Sequence, residues 1–438
     1  MKQSKYNFFF QVNETEYIAF NALKNGLAII DGNIVAKVKG LEPGQAFEAG
    51  DQLSTELRKG GFVCEDEFDE YGLLLIRRSM QQYSSGNLSM VIAPTLACNL
   101  SCKYCFEKKS DHKGIMDEKV MEGIISFTKR YIDSGIKKID VTWFGGEPLL
   151  VPGVIERLSE KLISLCEENK VNYSSYIITN GTMLSPEIAG NLKKWKVRGA
   201  QITIDGDEAV HNQRRPFKNG QGSFDQIIKN VESTAGVLAI SIRVNVDNTN
   251  MNKALVFFDD LKRKEWFKDH IDTISLHYGY VRNYTDSCRC SKEEILKPGD
   301  FWHNELELHR FLSKNNRGFN LYPVLPYGCT ATSINAYVVG PEGELYKCWN
   351  NLGEFENIVG SIFKPIELNS RYIMYLTENF ERDSDCKECK FLPICMGGCA
   401  DIRVKAKLNN NDSRDCAGWK YYIEDALKEF YLEKIKKD

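Results

Sequence analysis

No uninterrupted apolar run in the 438 residues approaches the roughly 20 that a membrane-spanning helix needs. The first seven residues lack the apolar stretch that follows the basic residues of a secretory signal. No sign of charge dominates. The 57 Lys and Arg stand against 60 Asp and Glu, a net charge of −3, which leaves neither a polycation for nucleic acid nor an acidic tail. Internal repeats and low-complexity segments are missing as well. These absences predict an intracellular, cytoplasmic protein with no membrane and no nucleic-acid partner. Length predicts two to three domains.

Cysteine, by contrast, is plentiful. Fourteen of them in a cytoplasmic chain do not read as structural disulfides, because that compartment keeps thiols reduced. Cys64 and Cys166 stand alone, and the apolar periodicity of residues 155–166 makes Cys166 a buried helical thiol. Most of the others are clustered, which argues for metal sites. The first cluster is Cys98-Asn-Leu-Ser-Cys102-Lys-Tyr-Cys105, spaced C-x3-C-x2-C, just after the apolar residues 90–96. Three thiolates can hold three irons of a [4Fe–4S] cube and leave the fourth iron open. An open position marks a catalytic rather than a structural metal. Zinc, or plain reduced thiols, is the alternative. Tyr104 places an aromatic ring where it could pack against a ligand on the open iron.

Residues 1–85 read as a small α+β module compatible with a winged helix-turn-helix. The pattern predicts a strand over residues 6–12, a short amphipathic helix over 16–25 stopped by Gly26, a hairpin over 28–36 turning at Asp31-Gly32, and a helix from Asp51. The acidic run at residues 65–70 argues against DNA. From Leu88 the pattern alternates strand and helix. Strands fall at 90–93, 139–144, 176–179, 200–204, 240–246 and 273–280, with helices between them such as the one capped by Ser185 and opened by Pro186. Six such units imply a parallel sheet, with ligands at its carboxyl ends. The cysteine loop follows the first strand. Gly145-Gly146-Glu147-Pro148 closes the second strand, Thr179-Asn180 the third, and Asp205 stands in a turn with Arg215 ten residues on. Glycines there let backbone approach a ligand, and an arginine fork suits a carboxylate. His211 and His277 receive no assigned role.

The C-terminal third repeats the cysteine theme. Cys386, Cys389, Cys395 and Cys399 are spaced C-x2-C-x5-C-x3-C, flanked by Cys329, Cys348 and Cys416. Seven cysteines do not divide into closed four-ligand zinc sites.

On the C-x3-C-x2-C loop, the Gly-Gly-Glu-Pro turn one strand later and the C-terminal cysteine array, the chain resembles the radical S-adenosylmethionine (SAM) enzymes that carry a SPASM extension and mature ribosomally made peptides. They are relatives of anaerobic sulfatase-maturing enzymes. The resemblance implies a partial (β/α)6 barrel with a winged-helix-like N-terminal module and a C-terminal iron–sulfur domain. The divisions are a peptide-recognition module over 1–85, a radical SAM core over 86–285, a bridge over 286–320 and a SPASM domain over 321–438. It implies one SAM-binding [4Fe–4S] cluster on Cys98, Cys102 and Cys105, and two auxiliary clusters. Cys386, Cys389, Cys395 and Cys416 would hold one of these. Cys329, Cys348 and Cys399 would hold the other, with Cys288, Cys290 or an open position completing it. SAM contacts would come from Tyr104, Gly145, Gly146, Glu147, Pro148, Thr179, Asn180, Asp205 and Arg215. The implied partners are a precursor peptide, gripped through its leader segment as an added strand, and an external electron donor such as flavodoxin or ferredoxin. The implied chemistry is reductive SAM cleavage to a 5′-deoxyadenosyl radical that takes hydrogen from the peptide, leading to a crosslink such as a thioether. The alternative is oxidation of a Cys or Ser to formylglycine.

Overall fold

The computed structural model describes residues 1–45, 51–107, 114–282, 288, 290–313, 322–323 and 328–435. The chain divides into two compact units: residues 1–83, 298–329 and 377–438 in one, and residues 84–297 and 330–376 in the other. Among the described residues no helix is long and apolar enough to cross a membrane.

In the first unit, β1 (Lys2–Gln3) pairs antiparallel with β5 (Val63–Cys64). Strands β2 (Asn7–Gln11), β3 (Glu16–Asn21) and β4 (Gly26–Asp31) form an antiparallel sheet with β3 in the centre. Two expectations fail here. Residues 16–21 are a strand, not a helix. Ile18, Ala19, Phe20 and Asn21 are all fully buried, and burial on both faces removes the alternation by which a strand is recognised. The hairpin over 28–36 is instead strand β4 followed by the helix Gly32–Lys39. Asp31 is that helix's cap, accepting from Asn33 N–H, so Asp-Gly opens a helix here rather than a turn.

The acidic run at 65–70 is spent within the fold. Asp69 caps the helix Glu70–Gln82 by accepting from Gly72 N–H, and Glu70 accepts from the Ser4 hydroxyl and, at 3.0 Å, from Lys5 N–H. One hydrophobic core then ties the N-terminal strands to the C-terminal segment. Phe8, Ile18, Phe20 and Leu74 pack with Phe380, Leu392, Ile394 and Leu427.

The second unit contains the expected parallel sheet. Strands β6 (Asn87–Ile92), β7 (Lys138–Trp143), β8 (Asn172–Thr179), β9 (Val197–Thr203), β10 (Ala239–Val246) and β11 (Ile274–Tyr280) lie side by side in sequence order, every pair parallel. Helices carry the crossovers. Glu118–Asp133 starts at Asp117, which accepts from Val120 N–H. Pro186–Lys194 starts at Ser185, which accepts from Ile188 N–H, with proline at its first position. Side chains alternate along the strands. On β10, Ile240, Ile242 and Val244 are buried, whereas Ser241, Arg243 and Asn245 are only partly so. The sheet therefore has an apolar face and a polar one.

On the far side of β6, β12 (Ala336–Val339) adds in parallel, followed by antiparallel β13 (Glu344–Tyr346) and β14 (Gly360–Ser361). The strand order runs from β11 to β14 without closing, as a partial (β/α)6 barrel requires.

Candidate active site

The loop after β6 carries Cys98, Cys102 and Cys105 and is held by backbone bonds. Ser101 N–H donates to Pro216 O at 2.8 Å, and Lys103 N–H to Arg214 O at 3.0 Å. The glycines after β7 set the opposite wall. Gly145 has φ +116°, a region closed to most side chains. A Cβ on Gly146 would overlap the Leu96 and Ala97 carbonyl oxygens. What approaches closely here is the cysteine loop itself. Gly146→Ala is expected to displace that loop and destabilise the protein by about 1–3 kcal/mol, read as fewer irons bound per chain and an earlier urea midpoint.

These walls enclose a cavity of ≈ 270 Å³ at the carboxyl ends of the parallel strands. All three thiols line it, as do Tyr104, Gly145, Gly146, Thr179, Asn180 and Arg215. Glu147, Pro148 and Asp205 do not. Glu147 is fully buried and accepts from Leu149 N–H at 2.9 Å, Thr179 Oγ1 at 2.7 Å and Asn180 N–H at 2.7 Å. It clamps the ends of β7 and β8 together. Burial raises its pKa, offset only in part by those three donors. Asn180 carries the clamp onward. Its Nδ2 donates to Asn99 Oδ1 at 2.8 Å and lies 3.8 Å from Cys98 Sγ.

Asp205 sits at the centre of a second network. The Tyr104 hydroxyl donates to Asp205 Oδ2 at 2.6 Å and accepts from Arg215 Nη1 at 2.6 Å and Asn245 Nδ2 at 3.1 Å. The ring is thus fixed at its hydroxyl end. Arg214 reinforces the network, donating from Nε to Asp205 at 3.1 Å and from Nη1 to Asp247 at 2.7 Å and Thr249 at 2.9 Å. Its guanidinium lies 5.1 Å from the Tyr104 ring centroid. Burial disfavours the Arg214 cation, yet Asp205, Tyr104 and Asp247 together hold its proton more tightly than usual.

His211 supports this network from behind. Its Nδ1 accepts from Asp205 N–H at 3.2 Å, and Nε2 lies 3.0 Å from Ser223 Oγ, which donates to Arg215 O at 2.6 Å. A donor aimed at Nδ1 fixes the neutral tautomer with its proton on Nε2. Burial, then Arg215, pushes the pKa down to about 3. The unfolded chain, near the usual value of about 6.5, takes up the proton first. The stability His211 confers is therefore whole above about pH 6.5 and falls by about 1.4 kcal/mol per unit as pH drops toward the folded value. Urea unfolding between about pH 5 and 7 should show a shallower acid slope in His211→Asn than in the parent.

Sequence reasoning missed Arg214, Gln201, Arg243, Asn245 and Glu107. Gln201, Arg243 and Asn245 line the cavity from alternate positions of β9 and β10. The signal was a polar residue at every second place near a strand's end. Trp349 and Phe144 also line the cavity, with rings stacked at 5.7 Å.

The site fits an iron cluster with an anionic ligand. Leu100 N–H and Asn180 Nδ2 both point at Cys98 Sγ, as donors do around a thiolate. Burial pushes the Cys98 thiol up to about 12 and the Cys105 thiol higher, so bound iron is what would make these thiolates stable. Arg215 Nε and Glu107 Oε1 are buried with no hydrogen-bond partner among the described residues.

Residues 92–251 match the family model "Radical SAM superfamily". This chain carries a radical SAM domain. It is a radical SAM enzyme, and its cofactors are a [4Fe–4S] cluster and SAM. It is 26% identical over 379 residues to a cysteine-type anaerobic sulfatase-maturating enzyme of Clostridium perfringens, covering 78% of this chain and 95% of that protein. It is 22% identical to the radical SAM cyclopropyl synthase TigE of Paramaledivibacter caminithermalis, over 90% of this chain and 89% of that one. The fold is shared with Streptococcus suis SuiB, solved bound to its precursor peptide SuiA. The TM-score is 0.56 at 17% identity, over 94% of this chain and 98% of SuiB.

The other cysteines of this radical SAM enzyme fall in both units. In the first unit, Cys386 Sγ accepts from Arg403 Nη2 at 3.0 Å, and Asp383 binds both Arg403 and Arg414. Cys395 lies near Cys389 and Cys416, and Cys399 near Cys329. Met396, Gly397 and Gly398 are all left-handed, with φ of 50°, 89° and 75°. A Cβ on Gly398 would overlap the Asp415 carbonyl oxygen, beside Cys416. Cys348 belongs to the second unit. Lys347 before it is fully buried, donates to Ser333 O and Ala336 O, and lies 5.0 Å from the Tyr337 and Tyr372 rings.

Proposed function

We propose that this enzyme modifies a ribosomally made peptide, taking a hydrogen atom from a side chain or α-carbon and converting the residue into a crosslink such as a thioether. The observation that carries this reading is the convergence of three thiols and the polar ends of five parallel strands on one cavity. When bound there, the cluster and SAM supply the 5′-deoxyadenosyl radical that accepts the hydrogen. The chain's own residues do the positioning. Cys98, Cys102 and Cys105 would hold the cluster, and Gly145 and Gly146 would offer backbone to the methionine amine. Arg215, whose Nε has no hydrogen-bond partner among the described residues, would take the carboxylate, and Thr179 and Asn180 would meet the remaining polar groups. Glu147, Pro148 and Asp205 would act one layer out, by fixing these residues. The likeness to SuiB, a protein solved with its precursor peptide, supports a peptide partner.

In this reading residues 1–85 grip the leader segment and 86–285 form the radical core. Residues 286–320 bridge to 321–438, whose cysteines hold two auxiliary clusters. Cys386, Cys389, Cys395 and Cys416 hold one, and Cys329, Cys348 and Cys399 the other. A flavodoxin or ferredoxin would deliver the electron. The sulfatase-maturating relative favours formylglycine formation as the second reading.

Anaerobically reconstituted protein, reduced and given SAM, is expected to release 5′-deoxyadenosine, and the Cys98→Ala/Cys102→Ala/Cys105→Ala variant none. A fully iron-loaded parent that releases none, with or without peptide, would sink the reading. Mass spectrometry of the peptide product separates the two chemistries. A thioether keeps the cysteine sulfur and loses two hydrogens, whereas formylglycine made from cysteine loses the sulfur.

A further inference from the structure

Two cations on the cavity wall have no part in the handling of SAM set out above. Arg243 stands on β10 and Arg282 two residues beyond β11. Both lie in the second unit and line the same cavity as the three thiols. We propose that they form a carboxylate-binding subsite, so that the peptide brings an acidic group, a side chain or its C-terminus, close to the residue that loses hydrogen. This rests on the reading that the cavity modifies a peptide, and it adds the chemistry by which that peptide is recognised.

Neighbouring strands position both groups. In the register of β10 and β11, Asn245 stands opposite Gly279. A Cβ on Gly279 would fall on Arg243 Nε and Nη2 and on Asn245 Oδ1. The Arg243 guanidinium therefore lies against the Gly279 backbone, in space that any other residue would fill. Arg282 is held by a ring. Its guanidinium carbon lies 4.4 Å from the Tyr280 ring centroid, and the Tyr280 hydroxyl donates to Leu296 O. A guanidinium carries five donors in a planar fork, more than one contact within the protein uses, and the fork matches a carboxylate.

Charge decides the ligand. The polar side chains that β9, β10 and β11 bring to this wall are Gln201, Thr203, Arg243, Asn245, Tyr280 and Arg282. Among these described residues are two cations and no carboxylate. The acids at the ends of the same strands serve another cation, since Asp205 and Asp247 both bind Arg214. His277, opposite Arg243 on β11, adds no anion. Burial, then the Arg243 charge, pushes its pKa down to about 4, so it is neutral at pH 7. The carboxylate that does line the cavity, Glu107, follows the cysteine loop, two residues beyond Cys105. Like charges on one half-buried wall repel, and an incoming carboxylate offsets that repulsion while accepting charge-assisted hydrogen bonds. A neutral side chain offsets nothing, and a basic one adds to the repulsion.

Three pentapeptides with a central cysteine serve as probes. The first has a glutamate beside the cysteine and blocked ends, the second a glutamine in its place, and the third is the second with its C-terminal carboxylate free. Binding to iron-loaded protein with SAM is measured anaerobically by equilibrium dialysis, without reductant, so that no turnover is needed. The glutamate peptide or the free-carboxylate peptide is expected to bind about tenfold or more tightly than the neutral one, and which of the two gains identifies the source of the carboxylate. Arg243→Gln and, separately, Arg282→Gln are expected to erase that preference without weakening the neutral peptide, and Arg243→Lys to keep part of it. Using both positions keeps the question answerable if one variant fails to fold. Equal binding of the three peptides, binding of none, or a preference that survives both substitutions overturns the proposal. 5′-Deoxyadenosine release after reduction reports separately on the radical reading. A carboxylate preference in protein that never cleaves SAM would leave the subsite standing and remove that reading.

Discussion

Arg214→Leu is expected to lower folding stability by about 3–5 kcal/mol, the larger of two single-residue effects at the cavity. Arg214 is the common partner of Asp205 and Asp247, which are 0% and 2% exposed. Removing it leaves two buried carboxylates without their cation, and it also strips donors from Thr249 Oγ1 and Asn245 O. An isolated charge in that setting costs more than the ion pairs ever contributed, because desolvation is no longer offset. Arg214→Lys should recover only part of the loss. One ammonium cannot reproduce the four directions of this guanidinium. Urea unfolding of the two variants checks the order. Equal midpoints for Arg214→Leu and the parent would show that the carboxylates are neutralised some other way.

Glu147→Ala is expected to cost about 3 kcal/mol or more, from three donors left unsatisfied at about 1 kcal/mol or more each. It should also abolish SAM cleavage. The carboxylate joins the turn after β7 to Thr179 and Asn180 at the end of β8, and Asn180 in turn reaches Cys98. Glu147→Gln keeps the shape but turns one acceptor into a donor, facing a donor. It should fall between the two, with iron content nearer to the parent. Iron analysis beside 5′-deoxyadenosine measurement distinguishes lost clusters from misplaced cofactor. A Glu147→Ala protein that binds full iron and cleaves SAM at the parent rate would refute the clamp.

Much of this was legible in the sequence because it lies in short-range patterns. The six core strands are apolar runs bounded by turn signals. The cap Ser185 stands one residue before its helix, and the cysteine spacing is local. The N-terminal sheet was legible only in part: the strand over 6–12 is β2, but β3 is buried on both faces, and Asp31-Gly32 opens a helix rather than a hairpin turn. At the site, the sequence identified Gly145 and Gly146 but not their partner, since only the folded chain shows the cysteine loop lying against them. Glu147 and Asp205, singled out as SAM contacts, face protein donors rather than the cavity. Arg214 escaped because nothing local distinguishes it from Arg215. The two diverge only through Asp205 and Asp247, on the ends of other strands.

The pairing of β12 with β6 has a consequence for how the chain is made. Residues 336–339 lie parallel to residues 89–92, so one flank of the core sheet stays uncovered until most of the polypeptide has left the ribosome. A nascent chain ending near residue 297 would hold six parallel strands with the inner edge of β6 still bare. Such an edge invites pairing with another chain, and a contact of this sequence separation forms late and slowly. Premature termination after the core should therefore yield aggregates rather than a smaller soluble domain, and chaperone dependence should end once residues 336–361 have emerged.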